Sequence, residues 1–456
     1  MDSVLYVVIA ILAVLFVFGI AINIHEFGHF VVAKLFGMRV EAYSFFGLGP
    51  RIFGFKYGHT DYRVSAIPLG AYVKLYGDEA TGALEGGESK GETVPESELY
   101  ELRPRWQKFL VMIGGPFMNI LLALAIPFSM AMIYGVPSNP APIAGIVKAG
   151  GAAEQAGIKV GDRIVSFDGV ENPTWSRIQN DSLLLPEKAT PIVVERGGQR
   201  IPLTIKPSKL ETDGQTVGMI DFEPDKGTVP VVVGTIQPDM PAAESGLQKG
   251  DQITSVNDKP IRNSQEMKNM VGEIKDQPIK LTVIRGSERK EITTHAVQKD
   301  GDWLIGIAFD QNANIAREKV GIGAAFAYAV DSNLEVLRLT AKAFGQVGTG
   351  ERSARDTVSG PIGIVQIIIQ VVFSGGFFGL LGILALISFN LGVLNLLPIP
   401  MLDGGQIMVL AIEGVLGLFG LTLSMAIKEK IQFVGLAAIL LLMVFTLFND
   451  VSRFFR

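Results

Sequence analysis

The residues His25-Glu26-Phe27-Gly28-His29 are the part of this chain best equipped to do chemistry. On a helix, positions i and i+4 share a face, so both imidazoles can reach one metal ion. Glu26 is offset by one residue and can address a water at that metal. Zinc lowers the pKa of such a water toward neutrality, and a carboxylate can take its proton and later pass it to a leaving amine. A catalytic zinc site needs a third protein ligand. The 456 residues contain no cysteine, which excludes disulfides and leaves only nitrogen and oxygen donors. The remaining histidines, His59 and His295, lie outside the apolar segments, so a carboxylate is favoured. Asp403 stands out: it follows an apolar stretch and two prolines, Pro398 and Pro400, that free the local backbone, and it precedes Gly404-Gly405. Glu413 is the competing carboxylate, and the plain structural role for Asp403 is a helix N-cap.

The elements that must position these groups are apolar helices. Residues 4–22 form an uninterrupted apolar run of 19, close to the roughly 20 that a helix needs to cross a bilayer. A cleaved secretory signal would begin with positive charge and end in small residues. Met1-Asp2-Ser3 does not, and the helical pattern runs on through 23–36 to a stop at Gly37, so a retained helix is expected. Further candidate spans are 109–134, 377–397 and 431–448, with 404–427 read as a bent or interfacial continuation. Three ionisable residues inside the first apolar helix are costly and normally functional. Composition agrees: 48% of residues are hydrophobic and 19% charged, against roughly a quarter charged in ordinary globular domains. Mean hydropathy is +0.36. Net charge is −5 and no long basic run occurs, which removes electrostatic support for a nucleic-acid partner. Lys34, Arg39, Arg51, Lys56, Arg63 and Lys74 follow the first span, and Arg103, Arg105 and Lys108 precede the second. By the positive-inside rule that loop is cytoplasmic, and about 137–372 lies on the opposite face.

The expected division is 1–36, first membrane helix; 37–104, hairpin region and acidic loop; 105–136, second membrane helix; 137–220 and 221–310, two small domains; 311–372, connecting helices; 373–427, third membrane helix and continuation; and 428–456, fourth helix and tail. Alternating apolar residues and glycine turns over 39–75 suggest hairpins, with Gly47 and Gly49 allowing close backbone approach. The acidic stretch 78–101 reads as a solvated loop. The middle region repeats: Gly161-Asp162-Arg163-Ile164 recurs as Gly250-Asp251-Gln252-Ile253, an offset of 89 that also places Arg196-Gly197 on Arg285-Gly286. A period this long means two copies of one small domain. Their pattern resembles PDZ domains of bacterial proteases, which bind extended peptides by strand addition; 143–146 occupies the expected groove strand of the first copy.

Taken together, HEFGH in the first span, the run Asn395-Leu396-Leu397-Pro398-Ile399-Pro400-Met401-Leu402-Asp403-Gly404-Gly405, and two PDZ-like repeats between spans two and three resemble the site-2 protease family. Smaller matches are Gly114-Gly115-Pro116 with Asn119, Ser359-Gly360-Pro361-Ile362, 67–75 (IPLGAYVKL) and 448–450 (FND). The resemblance implies a polytopic α-helical membrane protein of about four spans, with a membrane-associated β-hairpin region and two tandem PDZ-like α/β domains. It implies Zn2+ held by His25, His29 and Asp403, with Glu26 catalytic. It implies hydrolysis of single-span membrane substrates, among them an anti-sigma factor and signal-peptide remnants, in the bacterial inner membrane. Candidate substrate-binding residues are Asn395, Gly47, Gly49, Pro398 and Pro400; membrane lipid is the expected surrounding partner. An inactive helix-binding relative is disfavoured by the intact Glu26. A zinc transporter is disfavoured by the scarcity of polar residues in spans two and four.

Overall fold

The computed structural model describes residues 3–67, 70–77, 94–212, 215–225, 227–299, 302–310 and 317–453. The expected acidic loop lies outside the described residues up to position 93, as do Pro68 and Leu69. The chain forms two compact units, residues 1–133 with 321–456, and 134–320.

In the first unit, four helices among the described residues are long and apolar enough to cross a membrane: Val4–Leu35, Arg105–Tyr134, Pro361–Asn395 and Ala426–Ser452. The packing between the first and third of them is largely small and aliphatic. Ala13, Val17 and Ala21 repeat every four residues along the first helix and pack on Ile368, Leu380, Ile383 and Leu384 of the third. Small residues let helix backbones approach where lipid offers no hydrophobic driving force. The third helix begins at Pro361 and is interrupted at Gly376, whose φ of 57° leaves the helical region. After Asn395 the chain turns and starts a separate helix of 16 residues, Asp403–Leu418. That is below the usual bilayer-crossing length. An amphipathic helix, Ile322–Gly348, is tied to the second apolar helix where the Asn333 amide donates to the Ala123 carbonyl at 3.1 Å.

The region 39–75 forms one mixed four-stranded sheet rather than a run of simple hairpins. Strands β1 (Val40–Phe46), β2 (Leu48–Tyr57), β3 (Thr60–Ile67) and β4 (Tyr72–Leu75) lie in the order β2-β3-β1-β4. Only β2 and β3 make a hairpin; β1 runs parallel to β3 and antiparallel to β4. The reason is Gly47. It carries the chain across the end of β3 with φ of +92°, and a Cβ there would overlap the carbonyls of Ser65 and Ile67. Strand β2 exposes Ile52, Phe53, Phe55 and Tyr57, an apolar surface that would be unfavourable in water.

The second unit carries one arrangement twice. Strands Arg163–Phe167, Thr190–Arg196 and Gln199–Ile205, with helices Ala152–Gln155 and Trp175–Leu183, have counterparts in Gln252–Val256, Ile279–Arg285 and Glu288–Thr294, with helices Pro241–Glu244 and Ser264–Ile274. Each copy has its own buried core, around Phe167, Ile178 and Ile192 in one and Ile253, Met267 and Leu281 in the other. The repeated Gly-Asp and Arg-Gly signatures meet in space. Arg196 makes a two-point contact with Asp162 at 2.7 and 2.6 Å, and Arg285 repeats it on Asp251 at 2.7 and 2.7 Å. Arg285 holds the Asp251 carboxyl below the usual range; burial pushes Asp162 up, but Arg196 and the Lys159 N–H overcome it. The expected groove strand of the first copy is paired with Phe222–Pro224 on one side and bridged from Ile143 to Arg163 on the other. The outer strand is therefore Phe222–Pro224, with Ile307–Phe309 as its counterpart in the second copy.

Candidate metal centre

His25 and His29 face the second apolar helix one turn apart. The two helices cross at glycines: a Cβ on Gly28 would overlap the backbone of Gly114, and one on Gly115 would overlap both imidazoles. This contact presses the histidines against a helix that serves them. The Val111 carbonyl lies 2.7 Å from His29 Nδ1. The Asn119 amide lies 3.3 Å from His25 Nδ1. Both Nε2 atoms are left pointing at the same space, 3.2 Å apart.

Asp403 closes that space. It opens its helix after a turn in which Met401 takes φ of +78°, an uncommon conformation for a residue other than glycine. Leu402 is the N-cap residue and makes no side-chain cap bond, so the Asp403 carboxylate is free to point inward. Its oxygens lie 3.2 Å from His25 Nε2 and 3.5 Å from His29 Nε2. Glu413, the competing carboxylate, is paired with Lys428 at 2.6 Å.

The three residues fit a zinc ion. Their donor atoms all lie within 4.8 Å of one another. The 3.2 Å between the two Nε2 atoms is close to the edge of a tetrahedron with ligands at about 2.0–2.1 Å, which is about 3.3 Å, while Asp403 approaches the two histidines through different oxygens, Oδ2 toward His25 and Oδ1 toward His29. Asp403 Oδ2 is buried, and apart from its 3.2 Å approach to His25 Nε2 it makes no hydrogen bond, an environment that suits a shared cation.

Glu26 borders the same cavity of about 210 Å³, with Val73, Leu75, Asn395, Met401 and Gln406. The Val73 backbone N–H reaches the Glu26 carboxylate, linking β4 to the site. The Asn395 amide lies 3.3 Å from His25 Nε2. Neither Gly47 nor Gly49 borders this cavity, and neither do Pro398 and Pro400; Pro400 instead contacts the fourth apolar helix at Gly435. Sequence reasoning gave no role to Val111, Asn119 or Ser388. Of these Asn119 and Ser388 carried a signal, as polar residues in apolar runs.

Residues 13–442 match Peptidase family M50. A Neisseria meningitidis protein provisionally named a zinc metalloprotease is 29% identical over 97% of this chain and 99% of its own length. The regulator of sigma-E protease RseP of Salmonella typhimurium is 30% identical over 95% of this chain and 96% of its own, and that of Escherichia coli is 29% identical over the same shares. Among solved structures, the PDZ domain of an SdrC-like protein from Listeria monocytogenes is 28% identical, covering 17% of this chain and 85% of that domain, with a TM-score of 0.16. The chain belongs to Peptidase family M50. It is a membrane metalloendopeptidase of the site-2 protease type, the class that carries out regulated intramembrane proteolysis.

Proposed function

We propose that this protein is a zinc-dependent endopeptidase of the bacterial inner membrane that cuts the membrane-spanning segments of single-span proteins. An anti-sigma factor and signal-peptide remnants are the proposed substrates, and envelope stress signalling the setting. The observation that carries the reading is the convergence of His25, His29 and Asp403 beside Glu26 within an apolar helix.

His25 Nε2, His29 Nε2 and an Asp403 oxygen would hold the zinc. When bound, it supplies a Lewis acid that polarises the scissile carbonyl and acidifies water at the site. Glu26, held by the Val73 N–H, accepts a proton from the attacking water and hands it to the nitrogen as the C–N bond breaks, leaving a carboxyl and an amine. Asn395, whose amide lies 3.3 Å from His25 Nε2, is the proposed donor to the oxygen on which negative charge develops.

A substrate helix hides its carbonyls in internal hydrogen bonds, so cleavage needs local extension. Strand β4 stands at the end of its sheet among the described residues and borders the catalytic cavity, which supports pairing with an unwound substrate there. Gly47 and Gly49 would then act by shaping the sheet, and Pro398 and Pro400 by shaping the turn that delivers Asp403. We read the repeated unit as two PDZ-like domains on the periplasmic side. The catalytic groups lie toward the cytoplasmic end of the first helix, since His29 is only about 8 Å of helix before Lys34.

The test is cleavage of a model membrane helix by purified protein. Glu26→Gln should keep its zinc and lose turnover by about 100-fold or more. Loss of zinc would make Glu26 a ligand, and undiminished cleavage would overturn the mechanism.

A further inference from the structure

We propose that Asn119 is a positioning residue for the metal site: it fixes the tautomer and ring orientation of His25, and Ser388 holds Asn119 in place. This deepens the zinc reading above and rests on His25 being a ligand.

Asn119 and Ser388 are both fully buried, on the second and third apolar helices. The Ser388 hydroxyl donates to the Asn119 backbone carbonyl at 2.9 Å and lies 3.4 Å from its side-chain oxygen. At the other end the amide nitrogen is placed toward His25, with Nδ2 3.3 Å from Nδ1, and a half-turn of the amide exchanges it with the oxygen. A dry interior between apolar helices favours an aliphatic side chain there, so a satisfied amide needs a reason.

The reason is the proton on His25. A neutral imidazole donates through one nitrogen and offers a lone pair on the other. Nε2 is free for a metal only when the proton is on Nδ1, and Nδ1–H then needs an acceptor. The two ends of an amide differ by a half-turn and are distinguished by their hydrogen bonds. With its oxygen toward His25, Asn119 accepts from Nδ1–H while its NH2 donates to Ser388 Oγ, and Ser388 keeps its own donation to the Asn119 carbonyl. The His25 Nδ1–H and the Ser388 hydroxyl are then both satisfied. With its NH2 toward His25, the amide would demand a bare Nδ1 and drive the proton onto Nε2, where the metal must bind. His29 needs no such device, because a backbone carbonyl, which can only accept, already faces its Nδ1 at 2.7 Å.

The experiment measures zinc affinity of the full-length protein by chelator competition, alongside melting of the metal-free form. Asn119→Leu keeps the volume and removes the acceptor; it should weaken zinc binding about 10- to 100-fold. Asn119→Asp supplies a stronger acceptor and should bind zinc within a few-fold of wild type. Ser388→Ala should fall between the two. A packing role predicts the reverse order, since a buried carboxylate is tolerated worse than leucine. Wild-type affinity in Asn119→Leu, or weaker binding by Asn119→Asp than by Asn119→Leu, would overturn the proposal. Should Asn119→Leu fail to fold, Asn119→Asp and Ser388→Ala decide it: wild-type binding by Ser388→Ala, or loss of zinc from a folded Asn119→Asp, has the same force. A wild-type protein that binds no zinc would instead sink the functional reading itself.

Discussion

Two histidines four residues apart hold a metal weakly; the third ligand decides whether the site is closed enough to keep one. In the proposed site Asp403 supplies it from 374 residues beyond His29, with a buried oxygen whose near neighbour is His25 Nε2. Asp403→Ala should therefore empty the site, taking purified protein from about one zinc per chain to well below half. Glu413→Ala removes a partner of Lys428 and should leave zinc content unchanged. Elemental analysis of the pair checks both, and a fully loaded Asp403→Ala would refute the ligand assignment.

Among the elements, the fourth apolar helix shows how distant motifs work together. Asp450, buried near its end, accepts hydrogen bonds from the backbone N–H groups of Gly360, Ile362 and Gly363 at 2.9, 2.9 and 3.0 Å. These are the orphan donors at the start of the third apolar helix, and Pro361 between them has none to offer. Asn449 donates to the carbonyls of Arg355 and Val358 at 2.8 and 3.1 Å, completing a clasp. The short signatures at 359–362 and 448–450 are thus two halves of one cap. Asp450→Ala leaves several buried N–H groups unsatisfied and should cost about 1–3 kcal/mol in equilibrium unfolding. Asp450→Asn, which keeps one acceptor oxygen, should cost less. Equal stability of wild type and Asp450→Ala would show that the clasp contributes nothing.

At the scale of the whole molecule, the catalytic groups all belong to the helical unit, and the repeated unit is inserted between its second and third apolar helices. The proposed orientation puts the repeats outside and the β1–β4 side inside. The absence of cysteine makes this directly measurable. Ser287 and Glu96 are both exposed, so single cysteines there can be labelled without background. In intact spheroplasts, Ser287→Cys should react with an impermeant maleimide and Glu96→Cys should not. The opposite pattern would invert the proposed topology.

Much of this was legible in the chain itself, because some constraints are local. A run of apolar residues long enough to span a bilayer, two histidines at helical spacing, and a repeat offset of 89 each declare themselves without reference to distant residues. The site was legible as far as its ionisable members, since a charge inside an apolar helix has few structural uses. What stayed hidden depends on contacts between segments far apart. The β1–β3 pairing is parallel, whereas alternation and turn residues suggest only neighbouring hairpins, and Gly47 reveals its role only where it passes the end of β3. The expected groove strand of the first repeat turned out to be paired, because Phe222–Pro224 returns from about 75 residues later to cover it. A backbone carbonyl such as Val111 leaves no trace in residue type, and Asn119 and Ser388 show their purpose only where three helices bring them to His25. Side-chain chemistry is written locally; the partners that fix a proton on one nitrogen are chosen by packing.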